Sequence, residues 1–122
     1  MSKLWEETSF IMKKYHIKAN KSLGQNFLID ENVIQKIIDS SEIEKQDCVI
    51  EIGPGLGTLT KELLEKAGKV ISIELDKKML PILKDRFLLY ENFELINKDI
   101  LKVDLKKLIE EKKKEGFNNV KI

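Results

Sequence analysis

From Cys48 onward the chain alternates short β-branched runs with amphipathic segments. The first junction is Val49-Ile-Glu-Ile-Gly-Pro-Gly-Leu-Gly-Thr58, three glycines and a proline within five residues of an apolar run. Cys48–Ile52 predicts a first strand, followed by a helix over 58–67 with Leu59, Leu63 and Leu64 facing inward. Gly68 is expected to end that helix as a left-handed cap. Val70–Glu74 predicts a second strand, and a helix over 76–89 follows, loosened at its start by Pro81. Phe93–Asn97 predicts a third strand. Residues 103–115 predict a lysine-rich helix with Leu105, Leu108 and Ile109 as its apolar side, and Asn119–Ile122 opens a fourth strand. Such alternation demands right-handed crossovers and a parallel sheet covered on both faces, an α/β fold. Ligands of these sheets lie at the carboxyl ends of the strands, beside the first strand.

Ahead of this unit, Leu4, Trp5, Thr8, Ile11, Met12 and Tyr15 recur at helical spacing and predict a helix near 3–14 with Ser2 as its cap. Residues 18–27 break the period and read as a loop. Asp30 then caps a helix carrying Val33, Ile34, Ile37 and Ile38 on one side. Between Thr8 and Ile29 there is no acid, whereas Lys13, Lys14, Lys18 and Lys21 all fall there. The span is either a basic arm or a solvated helix face. Net charge over the 122 residues is only +1, so overall charge does not announce a nucleic-acid partner. One cysteine, Cys48, and one histidine cannot by themselves build a disulfide framework or a zinc site. No apolar stretch approaches a membrane span and no signal-peptide pattern opens the chain, which makes the cytoplasm the default compartment.

The acids narrow the ligand. A dinucleotide fingerprint wants glycine at positions 53, 55 and 58, but the third glycine is Gly57, position 58 is Thr, and Pro54 deletes an amide donor. The loop therefore suits a compact ligand lying against bare backbone better than a gripped pyrophosphate. Glu74 ends the second strand about twenty residues past the first glycine, where an acid meets ribose hydroxyls in nucleotide-binding folds. Asp99, past the third strand, can accept from an adenine amine or cap a turn. Glu51 can hold the loop or face a ligand ammonium. Ribose, adenine and a group against glycine backbone together describe S-adenosylmethionine.

Two segments, Glu51-Ile-Gly-Pro-Gly-Leu-Gly-Thr-Leu-Thr60 and Lys21-Ser-Leu-Gly-Gln-Asn-Phe-Leu28, resemble the ribosomal RNA adenine dimethyltransferase family, and within it the bacterial small-subunit enzymes. The likeness runs from about Lys13 to the last residue. It implies a class I S-adenosylmethionine-dependent, Rossmann-like methyltransferase fold truncated after the start of the fourth strand. Residues 1–29 would form an N-terminal helix and a basic loop covering the cofactor, and residues 30–122 the first part of the catalytic domain. By position, Asn26 and Leu28 would close over S-adenosylmethionine and Gln25 would shape the pocket mouth. Gly53 would meet the methionine end with Gly55 and Gly57 in support, Glu74 the ribose and Asp99 the adenine amine.

The activity implied is dimethylation of two adjacent adenosines near the 3′ end of small-subunit rRNA, on a pre-30S particle in the cytoplasm, without metal or membrane. The Asn-Leu-Pro-Tyr type motif that orients the target amine in this family is expected beyond Ile122, so no catalytic residue is assigned. The family's helical C-terminal domain is likewise expected beyond Ile122, and the chain alone is expected to be inactive. Three alternatives stand beside this reading. One is the large-subunit rRNA methyltransferases that confer macrolide resistance, although Ser22-Leu-Gly and Pro54-Gly-Leu lean away from them. Another is a nicotinamide or flavin enzyme, against which Gly57 and Thr58 argue. The last is a non-catalytic RNA-binding assembly or transcription factor on the same fold, which the lysines from Lys13 to Lys21 would also suit.

Overall fold

The computed structural model describes residues 3–17 and 30–122. Helix α1 (Lys3–Lys14) and helix α2 (Glu31–Ser41) precede strand β1 (Asp47–Ile52). Helix α3 (Thr58–Lys66), strand β2 (Lys69–Glu74), helix α4 (Leu80–Arg86) and strand β3 (Phe93–Asn97) follow. Helix α5 (Leu105–Lys114) and strand β4 (Asn119–Lys121) complete the order. The four strands are parallel in the order β3-β2-β1-β4, so β1 and β2 are central and the chain reverses direction across the sheet after β3. That reversal creates the switch point beside β1.

Side-chain alternation along the strands sorts the core into two layers. Val49 and Val70 point to the face covered by α1 to α4, where they meet Ile34, Ile38, Leu63, Leu64, Ile82 and Leu83. Cys48, Ile50, Ile71 and Ile73 point the other way, onto Leu105, Leu108 and Ile109 of α5. Ile71 and Leu83 are wholly buried, and each such side chain contributes about 1.5–3 kcal/mol over its exposed state. Cys48 is buried as a small apolar residue, and burial pushes its thiol up to about 11.

Most element ends fall within two residues of their expected positions, and Asp30 caps α2 by accepting from the Asn32 and Val33 amides. Two expectations need correction, the helix over 76–89 and the cap at Gly68. The helix expected over 76–89 is a single 3-10 turn, Lys77–Met79, capped by Asp76, followed by α4, which already ends at Arg86. Pro81 sits within the first two positions of α4, where its missing donor costs nothing. Leu89, beyond the helix, is 92% exposed. On α2, Ile34 and Ile38 are buried, while Val33 and Ile37 are 40% and 39% exposed. Gly68 is not a left-handed cap, since it is absent from the glycines with positive φ. Its lack of a side chain answers a different need: a Cβ there would lie 2.1 Å from the Lys45 carbonyl oxygen. Ser2 and residues 18–29 lie outside the described residues.

Candidate cofactor site at the strand tips

The loop between β1 and α3 turns on three positive-φ glycines, Gly53, Gly55 and Gly57, at +70°, +60° and +86°. Each of their amides is already engaged. Gly53 donates to the Ile73 carbonyl (2.9 Å), Gly57 to the Pro54 carbonyl (2.9 Å), and Gly55 to Glu74 Oε1 (3.0 Å). These three amides are thus turned to the protein's own acceptors, in contrast to the free amides of a phosphate cradle. The two flanking glycines differ in surroundings. A Cβ on Gly53 would meet nothing within 4 Å, while one on Gly57 would strike the Phe87 ring at 2.5 Å. The loop is therefore open on the Gly53 side and packed on the Gly57 side.

Glu74, at the carboxyl end of β2, faces this loop. Besides Gly55, its carboxylate accepts the Asp76 amide on Oε2 at 2.9 Å, and the residue is only 6% exposed. Each oxygen keeps a second lone pair for another donor. Leu75, next in sequence, is half-exposed at the same strand tip. Asn97, at the end of β3, donates from Nδ2 to the Glu74 and Leu75 carbonyls at 2.7 and 3.2 Å, fixing the turn that carries both residues. Asp99 is half-buried, and its Oδ1 caps the 3-10 turn Ile100–Lys102 through the Leu101 amide at 3.0 Å. Among the described residues Oδ2 has no hydrogen-bond partner, so capping leaves one oxygen available. Gln25, Asn26 and Leu28 lie outside the described residues.

Glu51 points beneath the loop. Its Oε1 accepts the hydroxyls of Thr60 on α3 and Ser72 on β2 (2.9 Å for the latter), and the residue is buried. Burial raises its pKa, the two hydroxyls partly offset this, and the neighbouring Glu74 charge raises it further. The contacts of Glu51 tie β1 to β2 and α3, a bracing role on either side of the loop that neither sequence reading named.

Three contributors escape sequence reading. Asn97 carried a usable signal, being a polar residue at a strand's carboxyl end. Leu75 carried a weaker one, as an apolar residue after the strand acid. Arg86, which donates to the Leu56 carbonyl of the loop, lies 30 residues away and carried none.

Residues 16–121 match the ribosomal RNA adenine dimethylase family. The chain belongs to that family. Among its relatives, the ribosomal RNA small subunit methyltransferase A of Clostridium botulinum (strain ATCC 19397 / Type A) is 59% identical over 105 residues, covering 86% of this chain and 38% of that protein. That of Alkaliphilus metalliredigens is 54% identical over 106 residues, 87% of this chain and 37% of that protein. The chain thus spans well under half the length of these relatives. Among solved structures, a dimethyladenosine transferase from Plasmodium falciparum matches with TM-score 0.61 and 39% identity, over 64% of this chain and 29% of that one. The 23S rRNA methyltransferase ErmE matches with TM-score 0.60 and 36% identity, over 64% and 32%. The α/β, parallel-sheet methyltransferase fold expected from the sequence is the one observed. Among the described residues, no group of three or more His, Cys, Asp or Glu is placed to hold a metal ion. No described helix is long and apolar enough to cross a membrane.

Proposed function

We propose that this chain supplies the S-adenosylmethionine site of an enzyme that dimethylates the exocyclic amines of two adjacent adenosines in small-subunit rRNA, on a pre-30S particle in the cytoplasm. The observation that carries the reading is Glu74, a carboxylate aimed at an opened loop whose three glycine amides are spent internally. A cofactor with a ribose diol and no phosphate fits these donors and acceptors. The open space at Gly53 accommodates a ligand's methionine end without a side chain in the way. Glu74 would accept from the ribose hydroxyls, Asp99 Oδ2 from the adenine amine, and Leu75 would offer an apolar surface to the base. Gly55 and Gly57 support the loop, and Gln25, Asn26 and Leu28 are assigned to the cover by their motif.

S-adenosylmethionine, when bound, provides a methyl group made electrophilic by its positive sulfur. This chain's contribution is binding and orientation, the part of the barrier lowered by fixing reactants in place. The attacking adenine nitrogen has a lone pair delocalised into its ring, so it also needs hydrogen-bond acceptors and a base withdrawn from its stack. The likeness to ErmE keeps a large-subunit substrate as the second reading. Methyl transfer by the whole protein to 30S particles, with naked large-subunit RNA in parallel, tests both. Labelling of 30S adenosines supports the proposal, and labelling of large-subunit RNA alone replaces it with the second.

A further inference from the structure

α1 is attached to the rest of the protein lightly. Only Thr8 and Ile11 of its residues are buried. Beside it a polar cleft of about 300 Å³ separates it from α2 and α3. Leu4 and Met12 pack against the core partly buried, and its polar ties include the Leu4 amide to Glu31, Tyr15 and Lys14 to Asp85, and Glu7 to Arg86 and Lys61. The last of these reaches the cofactor loop. Arg86, with a side chain 13% exposed, donates through Nη2 to Glu7 and through Nη1 to the Leu56 carbonyl at 2.5 Å. Phe87, next in sequence, fills the space left by the missing side chain of Gly57. One guanidinium therefore grips the glycine loop with one hand and α1 with the other, and Lys61 on α3 adds a longer contact to Glu7 at 3.9 Å.

We propose that Glu7 and Arg86 are positioning residues that couple the docking of α1 to the shape of the glycine loop. Any effect of that coupling on cofactor affinity rests on the proposed cofactor site; the coupling itself does not. A planar guanidinium serves both acceptors at fixed angles, whereas an ammonium at the same place serves as a point charge and cannot span them. Arg86→Lys thus keeps the charge and removes the coupling.

Amide hydrogen exchange reads the coupling without any ligand. Glu7→Gln and Arg86→Lys should each speed exchange of the Gly55 and Gly57 amides by about tenfold, the scale of one charge-assisted hydrogen bond, with β1 and β2 still protected. Asp85→Ala, which removes another polar tie of α1 without removing the Arg86 bridge, should raise that exchange clearly less. Unchanged loop exchange in both Glu7→Gln and Arg86→Lys, or an equal rise in Asp85→Ala, overturns the proposal. Calorimetry with S-adenosylhomocysteine forms the second arm. Affinity weaker in Glu7→Gln by about fivefold or more at unchanged β-sheet protection extends the coupling to the cofactor. Equal affinity confines it to the loop and overturns the extension. Failure of the unsubstituted protein to bind counts against the cofactor reading, while the exchange result still decides the coupling.

Discussion

Glu74 Oε1 accepts the Gly55 amide at 3.0 Å, joining the tip of β2 to the loop that follows β1. The contact holds a carboxylate beside backbone that has no side chains, at the switch point of a parallel sheet. Since Gly55 and Asp76 use one lone pair on each oxygen, the carboxylate is oriented before any ligand arrives. Preorganisation of this kind lowers the ordering cost of binding.

Glu51 gives the fold a pH dependence of definite sign. Its folded-state pKa is raised, chiefly by burial, above the ordinary 4.5. Its contribution to stability is therefore full below that ordinary value and is lost as pH rises through the raised folded value. Glu51→Gln removes the titration. The stability of wild type relative to Glu51→Gln, from urea melts at a series of pH values, should fall with rising pH across that window and level off above it. A flat or rising difference contradicts the assignment.

Two glycines in the same loop should respond differently to alanine. Gly57→Ala places a Cβ 2.5 Å from Phe87 in a backbone at φ +86°, so strain and overpacking should together cost about 2–4 kcal/mol in chemical denaturation. Gly53→Ala meets no atom of the described residues within 4 Å, so it should cost only the left-handed strain of about 1–2 kcal/mol. Its larger effect should appear in S-adenosylhomocysteine affinity, because the new methyl enters the space assigned to the ligand.

Gly68→Ala probes a correction to the sequence reading. A Cβ 2.1 Å from the Lys45 carbonyl meets backbone, which cannot rotate away. Substitution should force apart the segment before β1 and the start of β2, lowering the urea midpoint more than Gly53→Ala does. The reverse order would show that the approach at Lys45 relaxes easily.

What the sequence disclosed and what it withheld divide along sequence distance. The strand after an apolar run, the glycine turn and the acid at the next strand's tip are local, and each lies where expected. Gly68 was misread because a glycine after a helix serves equally for a left-handed turn and for a close approach, and only the Lys45 carbonyl decides. The helix over 76–89 came out short because Asp76 and Pro81 start a 3-10 turn and α4 separately, and Leu88 and Leu89 find no core to bury against. Of the two readings of Asp99 the structure shows the cap, through Oδ1 and the Leu101 amide. Arg86 and Glu7, separated by 79 residues, meet only in three dimensions, and no spacing rule could have paired them.

The most direct test of the site is calorimetric titration of S-adenosylhomocysteine into the unsubstituted protein and into Glu74→Ala, with folding of both verified. Loss of the carboxylate proposed to accept from the ribose should weaken binding by about 1–3 kcal/mol, roughly five- to 150-fold. Equal affinity in the two proteins would contradict the account, because the acid that faces the glycine loop would then not face the ligand.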